Sequence, residues 1–181
     1  MSVFFTGRGD LGETDTMGMS RISKDSATAR AIGDIDELNS ALGVAIANLE
    51  DMHIAEMLKV VQDRLFAIGA EIMSSEKMLT KLRGRVGCKD VEELEKHIDG
   101  FAAELPETKK FVLPGGSTSA SYLHLARSVA RRTERSMVAL SKERKISPHI
   151  LAYLNRLSSF LFVAALVMNR KEGIEEQNPV Y

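Results

Sequence analysis

Hydrophobic residues recur at intervals of three and four along most of the chain after residue 25, which is the spacing of the buried face of an amphipathic helix. This pattern predicts five helices, over 26–48, 54–74, 90–104, 119–141 and 148–168. Asp90 is expected to cap the third helix, and Ser147 followed by Pro148 predicts the start of the fifth. The pattern therefore predicts an all-α protein.

Three stretches depart from the helical pattern. Residues 1–25 are rich in Gly, Thr, Ser and Asp and have no helical period, and the chain shows no β-hairpin signal. Residues 75–89 are basic and contain glycine, which predicts a loop or a frayed helix end. The segment 111–117, Phe-Val-Leu-Pro-Gly-Gly-Ser, cannot be helical because Pro114 and the two glycines break a helix.

The last predicted helix is apolar on all sides from Phe160 to Met168. A helix of this kind must be buried on every side, and in a bundle of this size a neighbouring subunit is expected to cover part of it. The stretch is shorter than the roughly 20 residues that a membrane-spanning helix needs, so no membrane partner is predicted. The pattern thus predicts a helical bundle that oligomerises.

Composition narrows the class of protein. The chain has 181 residues, 44% of them hydrophobic and 27% charged, which suits a single soluble domain. A formal net charge of −1 gives no basic field for nucleic acid. The single cysteine, Cys88, excludes an internal disulfide and a cysteine-rich zinc site. The amino terminus has no basic start followed by an apolar run, so no signal peptide is predicted and a cytoplasmic location is expected.

The amino-terminal segment Thr6-Gly-Arg-Gly-Asp-Leu-Gly-Glu-Thr14, with Lys24 further along, carries groups that bind phosphate. Glycines let backbone N–H groups approach a ligand closely, and hydroxyl and cationic side chains add contacts. The spacing is not that of a P-loop. A Gly/Thr-rich start is also common in flexible tails, so both interpretations stand on the sequence alone.

Charged side chains are unusually dense on the fourth predicted helix. Arg127, Arg131 and Glu134 lie at i, i+4 and i+7 and therefore share one face, with Arg132 and Arg135 beside them. A solvated, salt-bridged face is the usual meaning of such a run. Several arginines around one carboxylate also suit an anion with its metal.

Three carboxylates lie early in the first predicted helix: Asp34, Asp36 and Glu37. The helix macrodipole alone favours them there. Alternatively, Asp36 neutralises an arginine of the fourth helix across the bundle.

Histidine spacing gives little support for a resident metal. Glu50-x-x-His53 fits half of a di-iron bundle motif, but the second copy that such a site requires is missing. His53 is therefore expected to be a surface residue near a helix end, and a ferritin-like metal protein is disfavoured.

Six segments together resemble the PduO-type (MMAB-like) ATP:cob(I)alamin adenosyltransferases, in the right order and over nearly the whole chain. They are TGRGDLGET (6–14), RISKD (21–25), GDIDELNSALG (33–43), FVLPGG (111–116), LARSVARRTER (125–135) and YLNRLSSFLFVAA (153–165). Asp34 stands where many relatives carry Thr. The loop 75–89 has no motif that can be carried over.

The resemblance implies a five-helix bundle with a ferritin-like up-and-down core, assembled as a homotrimer with active sites between subunits. It implies one domain over 1–181, divided into an ATP-binding segment (1–25), a helical bundle (26–169) and a tail (170–181). The substrates implied are ATP and cobalamin, with Mg²⁺ as cofactor. A flavin reductase and a B12-dependent mutase or dehydratase are possible partners.

The resemblance also implies roles for individual residues. On a neighbouring subunit Arg131, Glu134 and Asn155 would contact ATP or its Mg²⁺, and Glu134 is the residue implied to hold the metal. Arg127 would pair with Asp36 across the interface. Phe111 would pack beneath the corrin and displace its lower axial base. The residues implied to hold ATP from the first subunit are Thr6, Gly7, Arg8, Gly9, Gly12, Thr14 and Lys24.

The implied reaction transfers the 5′-deoxyadenosyl group of ATP to the cobalt of cob(I)alamin and releases triphosphate. Cobalt(I) is already a strong nucleophile, so a site without a Ser, Cys or His triad is consistent with it. The residues expected to carry catalysis are Arg127, Arg131, Asp36 and Phe111. Two alternatives remain: an ATP- or B12-binding sensor or carrier without turnover, and a purely structural helical oligomer.

Overall fold

The computed structural model describes residues 4–18, 21–106 and 111–180, and within them the chain is mostly helical, which confirms the predicted class. Two short strands come first, β1 (Glu13–Thr14) and β2 (Ile22–Ser23). Six helices follow in the described residues: α1 (Ala27–Ala47), α2 (Met52–Met73), α3 (Glu76–Leu79), α4 (Cys88–Glu104), α5 (Thr118–Leu140) and α6 (Pro148–Lys171). Helix α3 is a single turn of 4 residues, whereas the other five have 17 to 24.

Helices α1 and α6 begin where the sequence predicts. The side chain of Ser26 accepts a hydrogen bond from Ala29 N at the start of α1, and Pro148 is the first residue of α6. The prediction for Asp90 was wrong: α4 begins two residues earlier, after Gly87. Asp90 lies in the first turn instead, and its carboxylate accepts from Gly87 N at 2.8 Å. It therefore stabilises the helix start from inside the helix.

Helix α6 lies at the centre of the packing, between α5 on one side and α4 on the other, while α1 packs on α5 and α2. By length and composition α6 could cross a membrane, but 61% of its most apolar window is buried inside the molecule. It is thus a core helix. The prediction that Phe160–Met168 is buried all round holds except at Phe162 and Val163, which are only partly buried.

The amino-terminal segment forms a small antiparallel ladder that the sequence analysis did not predict. Glu13 pairs with Ser23 and Thr14 with Ile22. Two residues per strand are too few to show an alternating pattern, so no hairpin signal could be read. Met17 N also donates to Met73 O at 3.1 Å, which ties the segment to the end of α2.

The stretch 75–89, predicted as a loop or a frayed helix end, contains α3 and forms an ion pair with α2. Arg85 Nε and Nη2 each donate to the Glu71 carboxylate, both at 2.7 Å, and Glu71 is buried. The hydrogen bonds to Glu71 raise the pKa of Arg85. The pair holds the chain against α2 and lets Val86 enter the core, where it is 5% exposed.

Candidate active site

A cleft of about 540 Å³ lies between the amino-terminal segment, α1 and α2. Three residues predicted to belong to the site, Thr14, Lys24 and Asp36, line it. The remaining wall is largely apolar and includes Ile32 and Phe66, the latter 71% exposed. This space, called here the amino-terminal cleft, combines an apolar surface with a few polar groups, as small-molecule sites do.

Lys24 is held against the glycine-rich backbone beside this cleft. The Lys24 ammonium group donates to Gly9 O at 2.8 Å, and the backbone N–H of Lys24 donates to Gly12 O, also at 2.8 Å. A Cβ on Gly9 would lie 3.0 Å from Lys24 Nζ, so glycine permits this approach. Gly7 and Gly12 have φ values of 69° and 81°, in the region that favours glycine. The segment therefore presents one cation on a tightly turned backbone.

Arg8 and Thr6, the other residues of this segment with side chains predicted to bind ATP, lie at its exposed edge. Arg8 pairs with Asp15 at 3.0 Å, and Thr6 Oγ1 accepts from Arg8 N at 3.4 Å. Arg21, which was not predicted as a site residue, pairs with Glu13 at 3.2 Å and with Asp15 at 3.4 Å. Such exposed pairs contribute little stability, so an anionic ligand can replace them at small cost.

A second cleft, of about 340 Å³, lies on the outer surface of α5 and α6 and is called here the arginine cleft. It brings together Arg131, Glu134 and Asn155, as predicted, with Arg135 beside them. Asn155 Nδ2 donates to Glu134 Oε1 at 2.9 Å. This bond orients the carboxylate next to the arginines. The two clefts share no lining residue.

Arg127 lies between the arginine cleft and a neighbouring apolar surface. Its guanidinium is 5.9 Å from the centre of the Phe162 ring, and its Nε is buried with no hydrogen bond inside the described chain. Burial, and then the nearby charge of Arg131, lower the pKa of Arg127. Asp36 is exposed and forms no ion pair within the described residues. The predicted pair of Arg127 and Asp36 is therefore not made inside one chain.

Carboxylates of α1 do pair with an arginine of α5, as one interpretation of Asp36 predicted. The carboxylates involved, however, are Asp34 and Glu37. Arg132 Nε lies 3.5 Å from Asp34, and Arg132 Nη2 contacts Glu37. Ser136 Oγ also donates to Asp34. Asp34 thus has partners in its own chain, whereas Asp36 has no ion-pair partner among the described residues.

His124 is a site neighbour that the sequence analysis did not single out. It is 2% exposed, and neither ring nitrogen has a hydrogen-bond partner in the described chain. Burial, and then the charge of Arg127, lower the pKa of His124 to about 4, so the ring is neutral near pH 7. Its ring centre is 6.1 Å from that of Phe162. Nothing in its sequence context distinguishes it from a core residue.

The segment 111–117 lies against the end of α6 and the tail, and it exposes Phe111 to 77%. Phe111 O accepts from Asn178 Nδ2 at 2.8 Å, and Leu113 N donates to Gln177 O at 2.7 Å. Beside it lies a cleft of about 640 Å³ lined by Val112, Phe162 and Leu166 among others. The tail is therefore bound to the segment that carries Phe111.

Gly116 should be the least replaceable glycine of this segment. Its φ is 106°, and an added Cβ would lie 2.2 Å from Asn169 Oδ1, whereas a Cβ on Gly115 would meet nothing within 4 Å. We expect Gly116→Ala to lower the free energy of unfolding by at least ~2 kcal/mol, from backbone strain and the displaced amide. Gly115→Ala, the matched control, should change it by less than ~1 kcal/mol. Urea unfolding followed by circular dichroism measures both, and equal effects would contradict this account.

The described residues contain no group of three or more His, Cys, Asp or Glu side chains placed to hold a metal ion. Glu134 is accordingly a lone carboxylate among cations. Mg²⁺ commonly uses one or two carboxylates together with substrate phosphates and water. The residues present thus fit a metal that arrives with a nucleotide.

Comparison with known proteins identifies a matching family. Residues 4–168 match the family model described as cobalamin adenosyltransferase. A corrinoid adenosyltransferase from Bacillus subtilis is 45% identical over 177 residues, which cover 94% of this chain and 88% of that protein. A second, from Citrobacter freundii, is 39% identical over 163 residues, covering 90% and 93%.

Solved structures agree with the sequence matches. A variant PduO-type ATP:corrinoid adenosyltransferase from Lactobacillus reuteri, complexed with cobalamin and ATP, superposes with a TM-score of 0.91. It is 31% identical in sequence, and the match covers 98% of this chain and 99% of that one. Another variant of that enzyme, complexed with ATP, gives a TM-score of 0.89 at 31% identity, with 97% and 99% covered.

Proposed function

The chain belongs to the cobalamin adenosyltransferase family and is a corrinoid adenosyltransferase, and from this premise we propose how its residues carry out the transfer. The enzyme moves the 5′-deoxyadenosyl group of ATP to the cobalt of cob(I)alamin. A cobalt–carbon bond forms at C5′ as the bond from C5′ to the triphosphate oxygen breaks. The triphosphate leaves with the electron pair of that bond. No general base is needed, because cobalt(I) supplies the electron pair of the new bond and carries no proton.

ATP binds in the amino-terminal cleft. Lys24 supplies a cation beside the backbone of Gly9 and Gly12, and Arg8 lies at the edge of the same segment. Phosphate oxygens accept hydrogen bonds from such backbone and cationic groups, while the apolar wall suits the adenine. The segment 6–14 with Lys24 is thus assigned to the triphosphate and the ribose.

A neighbouring subunit completes each site, and the separation of the two clefts on one chain carries this proposal. Among the described residues, partly buried Arg127 has no carboxylate partner and exposed Asp36 has no cationic one. Leaving a buried charge unpaired is costly, so a contact that joins them is favoured. In a homotrimer the arginine cleft of one subunit would face the amino-terminal cleft of the next.

The arginine cleft stabilises the departing triphosphate. Arg131 is exposed in the cleft, and its planar guanidinium suits a phosphate oxyanion. Glu134, oriented by Asn155, would hold Mg²⁺ together with phosphate oxygens. The ion would neutralise charge on the triphosphate. Groups fixed in advance where charge develops lower the barrier because they need no reorganisation during the reaction.

Phe111 acts on the lower face of the corrin. Its side chain is 77% exposed, and the next residue, Val112, lines the cleft together with Phe162 and Leu166. An apolar ring placed there would exclude the lower axial base from cobalt. Removal of that ligand makes cobalt(II) easier to reduce, because the reduced ion binds axial ligands weakly. The reduction thus becomes possible for a cellular donor such as a flavin reductase.

The cellular setting follows from the chemistry. The enzyme is placed in the cytoplasm, where ATP is available, and its product would serve a B12-dependent mutase or dehydratase. No nucleic acid or membrane partner is proposed, since the net charge is near zero and α6 is a core helix.

The test of this function is spectroscopic. The purified protein is incubated with chemically reduced cobalamin, ATP and Mg²⁺, and the appearance of the adenosylcobalamin spectrum is followed together with triphosphate release. Equal amounts of both products would support the mechanism. Binding of ATP and cobalamin without product would instead favour a sensor or carrier.

Charge reversal tests the proposed contact between subunits. Asp36→Arg and Arg127→Asp should each reduce kcat/KM by at least about 30-fold and weaken the trimer, because each places like charges opposite one another. The double variant restores an attractive pair at every interface and should recover at least about tenfold of the loss. Steady-state kinetics give kcat/KM for each variant, and light scattering gives the mass of its assembly. Additive losses in the double variant would contradict the pairing.

A further inference from the structure

Asn169 is a buried amide that binds the segment 111–117 from the end of α6. It is 1% exposed, its Oδ1 accepts from Ser117 N at 2.9 Å, and its Nδ2 donates to Gly115 O at 3.0 Å. The same Nδ2 donates to Glu176 of the tail at 2.9 Å. One side chain therefore joins α6, the tail and the carboxyl end of the segment. Because these groups are buried or partly buried, loss of the amide would leave them unsatisfied.

The tail holds the other end of the segment. Asn178 Nδ2 donates to the carbonyl of Phe111 at 2.8 Å, and Gln177 O accepts from Leu113 N at 2.7 Å. At the root of the tail Glu172 accepts from Ser119 Oγ at the start of α5. Residues 172–178 therefore form a strap that is fixed at its base and bound to the backbone of the segment.

The Phe111 ring has no comparable support of its own. It is 77% exposed, so packing within the chain does not fix its place. Its backbone is fixed instead, by Asn178 at Phe111 itself and by Asn169 a few residues further along. The backbone that carries the ring is therefore held by these two amides, together with the bond from Leu113 N to Gln177 O.

We propose that Asn169 and Asn178 are positioning residues, which hold Phe111 at the height needed to exclude the lower axial base of cobalamin. The proposal rests on the role given to Phe111 above. Neither amide needs to touch the corrin. Their effect should depend on whether the corrinoid carries a lower base to be displaced.

The test uses two corrinoids, cobalamin and cobinamide, which lacks the lower base. Starting from the cobalt(II) forms with a reductant, Asn178→Ala should lower kcat for cobalamin about fivefold and for cobinamide less than about twofold. Asn178→Asp keeps the size of the side chain but cannot donate to Phe111 O, so it should show the same selective loss as Asn178→Ala. Electron paramagnetic resonance should show less four-coordinate cob(II)alamin on both variants.

Gln177→Ala is the matched control, because it uses only its backbone carbonyl toward the segment and its exposed side chain makes no hydrogen bond in the described chain. It should keep wild-type rates for both corrinoids. Asn169→Ala should show a larger loss of kcat for cobalamin relative to cobinamide than Asn178→Ala does. If Asn169→Ala fails to fold, the variants of the exposed Asn178 still test the proposal. Equal losses for the two corrinoids, or none, would overturn the proposal. The role of Phe111 itself is tested separately: if that role is wrong, Phe111→Ala would lower kcat for cobalamin and cobinamide equally.

Discussion

Replacement of Arg131 by alanine should lower kcat for adenosyl transfer by about 100- to 1,000-fold, which is the usual cost of removing one group that stabilises charge in a transition state. Arg131 is exposed in the arginine cleft beside Glu134 and Asn155. Its charge is therefore available to the triphosphate that leaves C5′. The loss should appear with chemically prepared cob(I)alamin, because it concerns the transfer itself and not the preceding reduction.

Two further variants make the Arg131 result specific. Arg131→Lys keeps the charge but not the planar pair of donors, so it should recover only part of the rate. Lys59→Ala removes an exposed cation of α2 whose ion pair in the described part of the chain is with Glu56, one turn away, and it should keep full activity. A fall in affinity for ATP with unchanged kcat would show that Arg131 binds the ground state and the transition state equally.

Phe111→Ala should lower the rate from cob(II)alamin by about 100-fold and leave the rate from prepared cob(I)alamin within a fewfold of wild type. Cobalt(I) has already lost its lower base, so the ring has little left to do once reduction is complete. Both rates come from the same absorbance assay with and without prior chemical reduction.

Controls for Phe111 address packing and solubility. Phe111→Tyr keeps a ring of similar size and should retain more of the cob(II)alamin rate than alanine does. Met52→Ala removes another exposed apolar side chain, 63% exposed at the start of α2, and should have no effect. Full activity of Phe111→Ala from cob(II)alamin would remove Phe111 from the mechanism.

The five long helices could be predicted because their buried residues recur in the sequence at a regular spacing, whereas the single turn α3 buries no residue and gives no such signal. Leu38, Leu42 and Ala45 recur at three and four residues and all three are fully buried in α1. The segment with Pro114 was equally clear because proline and glycine exclude a helix. The start of α4 was missed because a carboxylate stabilises a helix both as a cap and within the first turn, and the residue type does not separate these positions.

For the candidate site, the sequence predicted part of which residues lie together, and the contacts that were missed are long-range. Arg131, Glu134 and Asn155 lie together as expected, although they come from two helices. His124 and Asn169 were missed because a single buried polar residue in an apolar run carries no periodic signal of its own. Asn169 binds Gly115, 54 positions earlier, and such a partner cannot be read from spacing. The ion pair of Arg132 with Asp34 likewise depends on how α1 packs on α5.

The placement of the amino-terminal cleft and the arginine cleft on separate surfaces of one chain has a genetic consequence. With each site assembled from two subunits, as proposed above, an allele with a defective Lys24 and an allele with a defective Arg131 should complement each other in one cell. Mixed assemblies contain interfaces at which the intact halves of the two products meet. Two alleles with defects in the same cleft cannot form such an interface, so they should fail to complement.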